Sequence, residues 1–184
     1  MPRNVRFSEM SLDELLTEMH KMELAREDDF NINDEGYGRE IRVHKLVLRE
    51  LSNTKDNALK ETRAEVKRKL SRLLYHHGSE LKFRGQGSRQ DAEKSLGEAL
   101  GVDPKNGMAA YRLAFIRYRK NDYKDAIRYF NMALENISHE GPIFCLSDRE
   151  IYYARLYLMA CYLNEVDKLN EELDSSPTKK KYPE

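Results

Sequence analysis

The chain has 184 residues, of which 35% are charged and 40% apolar, and its 32 basic side chains are matched by 32 acidic ones. That is room for one ordinary domain or one compact solenoid with a highly charged exterior. The even balance argues against bulk attraction to nucleic acid or to a membrane, and the sparse Pro and Gly between apolar-periodic segments favour an all-helical class.

In chain order, residues 1–10 are expected to fray. Ser11-x-x-Glu14 is a capping-box pattern that opens a first helix. Its apolar stripe is Leu12, Leu15, Leu16, Met19 and Met22, and it ends near Asp28. The polar stretch Asn31 to Gly38 follows. A second helix is expected from about Arg39 to Leu51, with Val43, Leu46, Val47 and Leu51 on one side, and Ser52-Asn53-Thr54 forms a break. A long third helix, about Asn57 to Arg84, carries Leu59, Val66, Leu70, Leu73, Leu74, His77 and Leu81 at helical spacing. Gly85-Gln86-Gly87 ends it, and Ser88 caps a fourth helix that runs to Leu100.

The fifth helix, about Gly107 to Lys120, holds Tyr111, Ala114, Phe115 and Tyr118. Asp122 caps a sixth that ends near Asn136. Gly141-Pro142 lies in a longer loop. Ser147-x-x-Glu150 is a second capping box, opening a seventh helix to about Leu163, with a short eighth at Asp167 to Leu173. From Ser175, a tail with Lys179-Lys180-Lys181 and Pro183 is expected to be disordered.

Charge is unevenly distributed. Residues 8–40 hold eleven acids against Lys21, Arg26 and Arg39, and residues 55–90 hold ten bases against Asp56, Glu61, Glu65 and Glu80. Either the acidic front end docks on the basic helix, or these are two solvated faces with little mutual energy; exposed ion pairs contribute only ~0–1 kcal/mol each. Cys145 and Cys161 stand alone, forming neither a disulfide framework nor a zinc pattern. With no signal-peptide core and an acidic N-terminus, a reducing cytoplasm is the expected location. The strongest apolar run, Tyr152 to Leu163, is short and contains Arg155, so no membrane span is indicated.

One pattern repeats at a fixed distance. Ala92-x3-Leu96-x2-Ala99-Leu100 recurs as Ala126-x3-Phe130-x2-Ala133-Leu134, displaced by 34 residues. Ser88 with Asp91 and Asp122 with Asp125 repeat at the same offset. Small residues alternating with large apolar ones at that period are the mark of stacked helix pairs. With Pro104, the turn Asn121-Asp122-Tyr123 and Leu113-Ala114, residues 73–136 resemble two tetratricopeptide repeats. The family's first-helix Trp is replaced by His76 and Ala110. Its Leu-Gly is replaced in the first repeat by Ser79-Glu80, and Ser138 stands where the second repeat's proline would fall. A third, irregular repeat starts at Asp148.

The resemblance implies an all-α fold: a short right-handed helical solenoid of antiparallel helix pairs behind an N-terminal helical extension. The expected division is residues 1–56 as extension, 57–174 as repeat domain and 175–184 as tail. It implies a non-catalytic, cytoplasmic adaptor or scaffold whose ligand, another protein or a peptide, lies in the groove lined by each repeat's first helix. Carried onto this sequence, the groove comprises Leu74, His77 and Leu81, then Met108, Tyr111, Arg112, Phe115, Tyr118 and Arg119. The N-terminal helices could instead cover it. Chaperone-binding members grip a terminal carboxylate with Lys, Asn and Arg; here the matching places hold His77, Leu81 and Arg112, which disfavours that role. The helix from Tyr152 to Leu163 could support homo-oligomerisation.

Other chemistry is weaker. Asp29, Asn31, Asn33 and Glu40 fit four places of a calcium loop, but Asp34 occupies the turn glycine's position, and a polar inter-helix loop is the simpler reading. His76 and His77 are adjacent, so a helix points them apart and no metal site is expected. Gly85-x-Gly87 lacks the lysine of a phosphate loop, no nucleophile–base pair is visible, and no cofactor is expected. The alternatives to an adaptor are a bacterial peptide-sensing regulator with the N-terminal helices as output, or a nucleic-acid-contacting accessory factor using residues 60–72, where Arg63, Lys67, Arg68, Lys69 and Arg72 form a basic run.

Overall fold

The computed structural model describes residues 7–28, 34–54, 56–81, 86–137 and 146–175. Among them there are seven α-helices and no strand: α1 (Leu12–Asp28), α2 (Asp34–Asn53), α3 (Lys60–Leu81), α4 (Gln86–Val102), α5 (Gly107–Arg119), α6 (Tyr123–Glu135) and α7 (Asp148–Ser175). The helices form antiparallel neighbours in two compact units, Met1–Asp103 and Pro104–Glu184.

In the first unit, the Ser11 capping box forms as the sequence requires. The Glu14 carboxylate accepts from the Ser11 backbone N–H at 2.7 Å, and Ser11 Oγ accepts from the Glu14 N–H at 3.4 Å. That carboxyl is held below its usual range by the Ser11 hydrogen bonds. Residues 7–9 are not frayed: they form a 3-10 turn whose Phe7 is buried in the apolar cluster, and that burial offsets part of the entropy cost of ordering the turn. Arg39 of α2 lies over that ring at 5.4 Å.

Leu15 and Met19 of α1 meet Val43, Val47 and Leu51 of α2 and Val66 of α3 in one buried cluster. The helix α2 starts at Asp34, a turn earlier than the sequence suggested, and extends through Asn53. Ser52 and Thr54 do not cap a following helix. Their hydroxyls turn back to the Leu48 and Glu50 carbonyls and close the end of α2. Asp56 caps the next turn, accepting from the Ala58 N–H at 2.8 Å.

Helices α3 and α4 approach closely at Gly78, where an added Cβ would lie 2.9 Å from Leu96 Cγ and 3.0 Å from the Ala92 carbonyl oxygen. Two buried serines tie the same pair: Ser71 Oγ donates to the Ala99 carbonyl at 2.8 Å, and Ser95 Oγ donates to the Leu74 carbonyl at 2.9 Å. The small residue at this crossing is therefore Gly78 rather than anything at Ser79-Glu80. Fourteen residues separate Gly78 from Ala92, whereas twelve separate the buried Ala114 from Ala126, so the first turn is longer by two. The α4 backbone is already helical at Gln86, which places Ser88 inside the helix and not at its cap.

In the second unit, Asn106 caps α5 and Asp122 caps α6, each side chain accepting a backbone N–H three residues on. Asn121 between them has φ 59°, the left-handed conformation that a tight helix–helix turn demands and that Asn tolerates. Ala109, Ala114, Ala126, Phe130 and Ala133 are buried between α5 and α6. The Ser147 capping box forms as expected, with Glu150 accepting from the Ser147 N–H at 3.0 Å. From there α7 runs unbroken for 28 residues. The expected end near Leu163 and the separate eighth helix are not found, because nothing between Asn164 and Val166 breaks a helix. Gly141-Pro142, Ser138, Cys145 and the Lys179–Lys181 tail lie outside the described residues.

Candidate functional site

In the first unit, Leu74, His77 and Leu81 come together. They line a cleft of about 370 Å³ with Gly38 and Ile41 of α2 and Asp91, Lys94, Ser95 and Glu98 of α4. Leu74 and Leu81 are buried and form its floor, whereas His77 is half-buried. The Tyr37 ring of α2 tilts against His77 with centroids 5.5 Å apart. Across the rim, Lys45 of α2 donates to Glu98 of α4 at 2.6 Å.

His77 Nδ1 and Ser95 Oγ are 3.2 Å apart, a pairing that the sequence, which sets them eighteen positions apart, did not reveal. It does not make a nucleophile. The single hydroxyl proton of Ser95 is donated to the Leu74 carbonyl, so the oxygen can only accept from the imidazole. A general base would have to accept that proton instead. The pair positions the His77 ring at the cleft.

In the second unit, the aromatic face of α5 meets α7. Tyr157 stands edge-on to Phe115 and to Tyr118, each with centroids 4.9 Å apart, and stacks on Phe130 at 6.3 Å. Tyr111 is buried, and burial raises its hydroxyl pKa above the usual value. Arg112 lies over the Tyr111 ring at 5.8 Å and approaches Glu150 of α7 at 3.8 Å. Met108, Arg112, Phe115 and Tyr118 are half-buried, and Arg119 is exposed. The sequence singled out the α5 aromatics but not Tyr157; its spacing within the Tyr152–Leu163 run was the one available signal.

The basic run of α3 is not a continuous charged face. Arg63 turns back to the end of α2, where its guanidinium donates to the Leu51 and Thr54 carbonyls. Lys69 pairs with Glu23 of α1 at 3.0 Å and with Glu65 at 3.2 Å. The acidic front end thus touches the basic helix at a half-buried ion pair. Lys67 and Arg68 stay exposed.

Of the four calcium-loop positions, Asp29, Asn31 and Asn33 lie outside the described residues. Glu40 is buried and sits 3.1 Å from Arg26. Burial raises its carboxyl pKa, with the Arg26 charge partly opposing the shift. Among the described residues, no group of His, Cys, Asp and Glu could hold a metal ion, and no helix is long and apolar enough to cross a membrane.

No curated protein matches this chain in sequence. The family model for the tetratricopeptide repeat matches residues 83–139, which span α4, α5 and α6 with the Asn121 turn. The 34-residue offset, the buried alanines at the helix crossings and the family match agree on one stretch: residues 83–139 are similar to the tetratricopeptide repeat, and the described residues around them are helical.

Proposed function

We propose that the chain is a non-catalytic adaptor that binds another protein or a peptide segment on the first-helix faces of its repeats. The tetratricopeptide match over residues 83–139 carries this reading, since such repeats serve protein–protein interaction in general. The contact residues we assign are His77 over the Leu74 and Leu81 floor on α3, and Met108, Arg112, Phe115, Tyr118 and Arg119 on α5, with Tyr111 buried beneath them. The cleft beside α3 supports the assignment: its floor is aliphatic and its rim carries Asp91, Lys94 and Glu98. That combination suits one aliphatic anchor of a peptide whose backbone is held at the rim. On α5, Arg112 and Arg119 supply charge that sets orientation and on-rate more than affinity.

The test is a crosslinking pulldown with two variants that spare the buried core. One combines His77→Ala with Lys94→Ala, and the other combines Met108→Ala with Arg119→Ala. A captured protein should weaken at least tenfold in one of them, with the helical circular dichroism unchanged. If both variants capture what the parent captures, these faces are not the binding site.

A further inference from the structure

We propose that α7 pairs with α7 of a second copy of this chain as an antiparallel two-stranded coiled coil. Its outward face is apolar and uncovered: Tyr152 is 63% exposed, Met159 63% and Leu163 64%. With Leu156 and Val166, these residues recur at alternating steps of four and three. The same steps lead on to Asn170 and Leu173, so one stripe less than a third of the way round the helix runs for three heptads. The opposite face holds the buried Ala154 and Cys161 against the rest of the second unit. From Val166 to Ser175 every residue of α7 is exposed. An isolated helical segment of that length is marginal in water, and a partner along the stripe would stabilise it.

The size of the face fits a dimer. Six large apolar side chains of the stripe, Tyr152, Leu156, Met159, Leu163, Val166 and Leu173, are at least 46% exposed. At roughly 100 Å² each they offer on the order of 600 Å² per partner, the lower end of what a specific interface buries. The seam is also self-complementary. In the heptad frame Leu156, Leu163 and Asn170 occupy one seam position and Tyr152, Met159, Val166 and Leu173 the other. An antiparallel twofold then sets Tyr152 opposite Asn170 of the second copy, Leu156 opposite Val166, and Met159 opposite Leu163. The one polar residue in the seam meets the one seam residue with a hydroxyl, which fixes the register.

Charge selects the direction. The first half of α7 balances Asp148 and Glu150 with Arg149 and Arg155. The second half carries Glu165, Asp167, Glu171, Glu172 and Asp174 against Lys168. Parallel pairing would lay two acidic halves side by side. Antiparallel pairing lays each beside a neutral half, with Arg149 near the partner's acidic last turns and the helix dipoles opposed.

Light scattering on the full chain at ~100 µM tests the pairing. The parent should have twice its 21.6 kDa mass. Met159→Glu with Leu163→Glu should return it to one mass with helicity kept, since both positions face solvent in the single chain. A monomeric parent, or a dimer that survives both glutamates, overturns the proposal. Direction is read by mild oxidation against the parent as control. Tyr152→Cys together with Asn170→Cys should crosslink two copies, and Tyr152→Cys alone should not; a crosslink by the single variant overturns the antiparallel arrangement. Neither readout uses another protein, so its failure is distinct from failure of the adaptor reading.

Discussion

Glu23 of α1 holds the Lys69 ammonium of α3 at 3.0 Å across 46 residues of chain. The buried His44 of α2 completes the contact, its Nε2 3.4 Å from the same carboxylate and its Nδ1 3.0 Å from the Glu40 carbonyl. Three helices of the first unit therefore meet at one carboxylate. Burial opposes its ionisation, but the hydrogen bonds and charges of His44 and Lys69 outweigh burial and hold it at about 2.

Acid should therefore loosen the first unit. An unfolded Glu23 titrates near 4.5 and the folded one near 2, so between those values the unfolded chain binds more protons. The stabilisation is complete above about pH 4.5 and is lost as pH falls toward 2. Glu23→Gln should reduce stability at pH 7 by on the order of 1–2 kcal/mol and flatten the acid limb of a urea-midpoint curve. Parallel curves for variant and parent would show that the contact adds nothing. Glu40 works in the opposite sense: its raised pKa means that the stability it contributes falls as pH rises through the folded value.

Gly78→Ala pits two effects against each other. Alanine is the better helix former by up to ~1 kcal/mol. The new methyl, however, would lie 3.0 Å from the Ala92 backbone oxygen and 2.9 Å from Leu96, and overpacking of that kind costs ~1–3 kcal/mol. The net expectation is a loss of about 1 kcal/mol by chemical denaturation. Gly97→Ala is the control: nothing lies within 4 Å of its added Cβ, so that variant should gain a few tenths of a kcal/mol or more.

The α5–α6 turn should be sensitive to side-chain shape. Asn121→Val forces a branched side chain into φ 59° and should cost ~1–2 kcal/mol, whereas Asn121→Gly should be close to neutral. Asp122→Ala removes the acceptor for the Asp125 N–H and should cost ~1 kcal/mol. Thermal melts of the three variants would rank them in one experiment.

Tyr157 is the packing centre of the second unit. Tyr157→Ala strips ring contacts from Phe115, Tyr118 and Phe130 at once and should cost ~2–4 kcal/mol. Tyr157→Phe should be nearly neutral. A small loss in Tyr157→Ala would mean that α7 is held by other contacts.

Cys161 is buried, and burial pushes its thiol up to about 11. Alkylation at pH 8, followed by mass spectrometry of its peptide, should be slow in the native chain and complete within minutes in denaturant. Rapid native labelling would show that α7 opens readily.

Helix identity and repeat period were legible in the sequence because both rest on local rules. Capping boxes at Ser11 and Ser147, the cap at Asp122 and the 34-residue spacing of buried alanines depend only on residues a few positions apart or on a repeated pattern. The helix-opening role read for Ser88 and the early end read for α7 failed, because a propensity signal cannot say whether neighbouring turns propagate through it.

Tertiary structure alone decided which side chains met across distance. It chose Gly78 over its neighbours as the crossing point, set His77 beside Ser95, and brought Tyr157 onto the α5 aromatics. It also turned Lys69 of the basic run into the partner of a half-buried acid, Glu23. The sequence fixes the periodicity along each helix, but the rotation of one helix against the next is set by ridge-and-groove packing summed over many contacts, and no single residue encodes it.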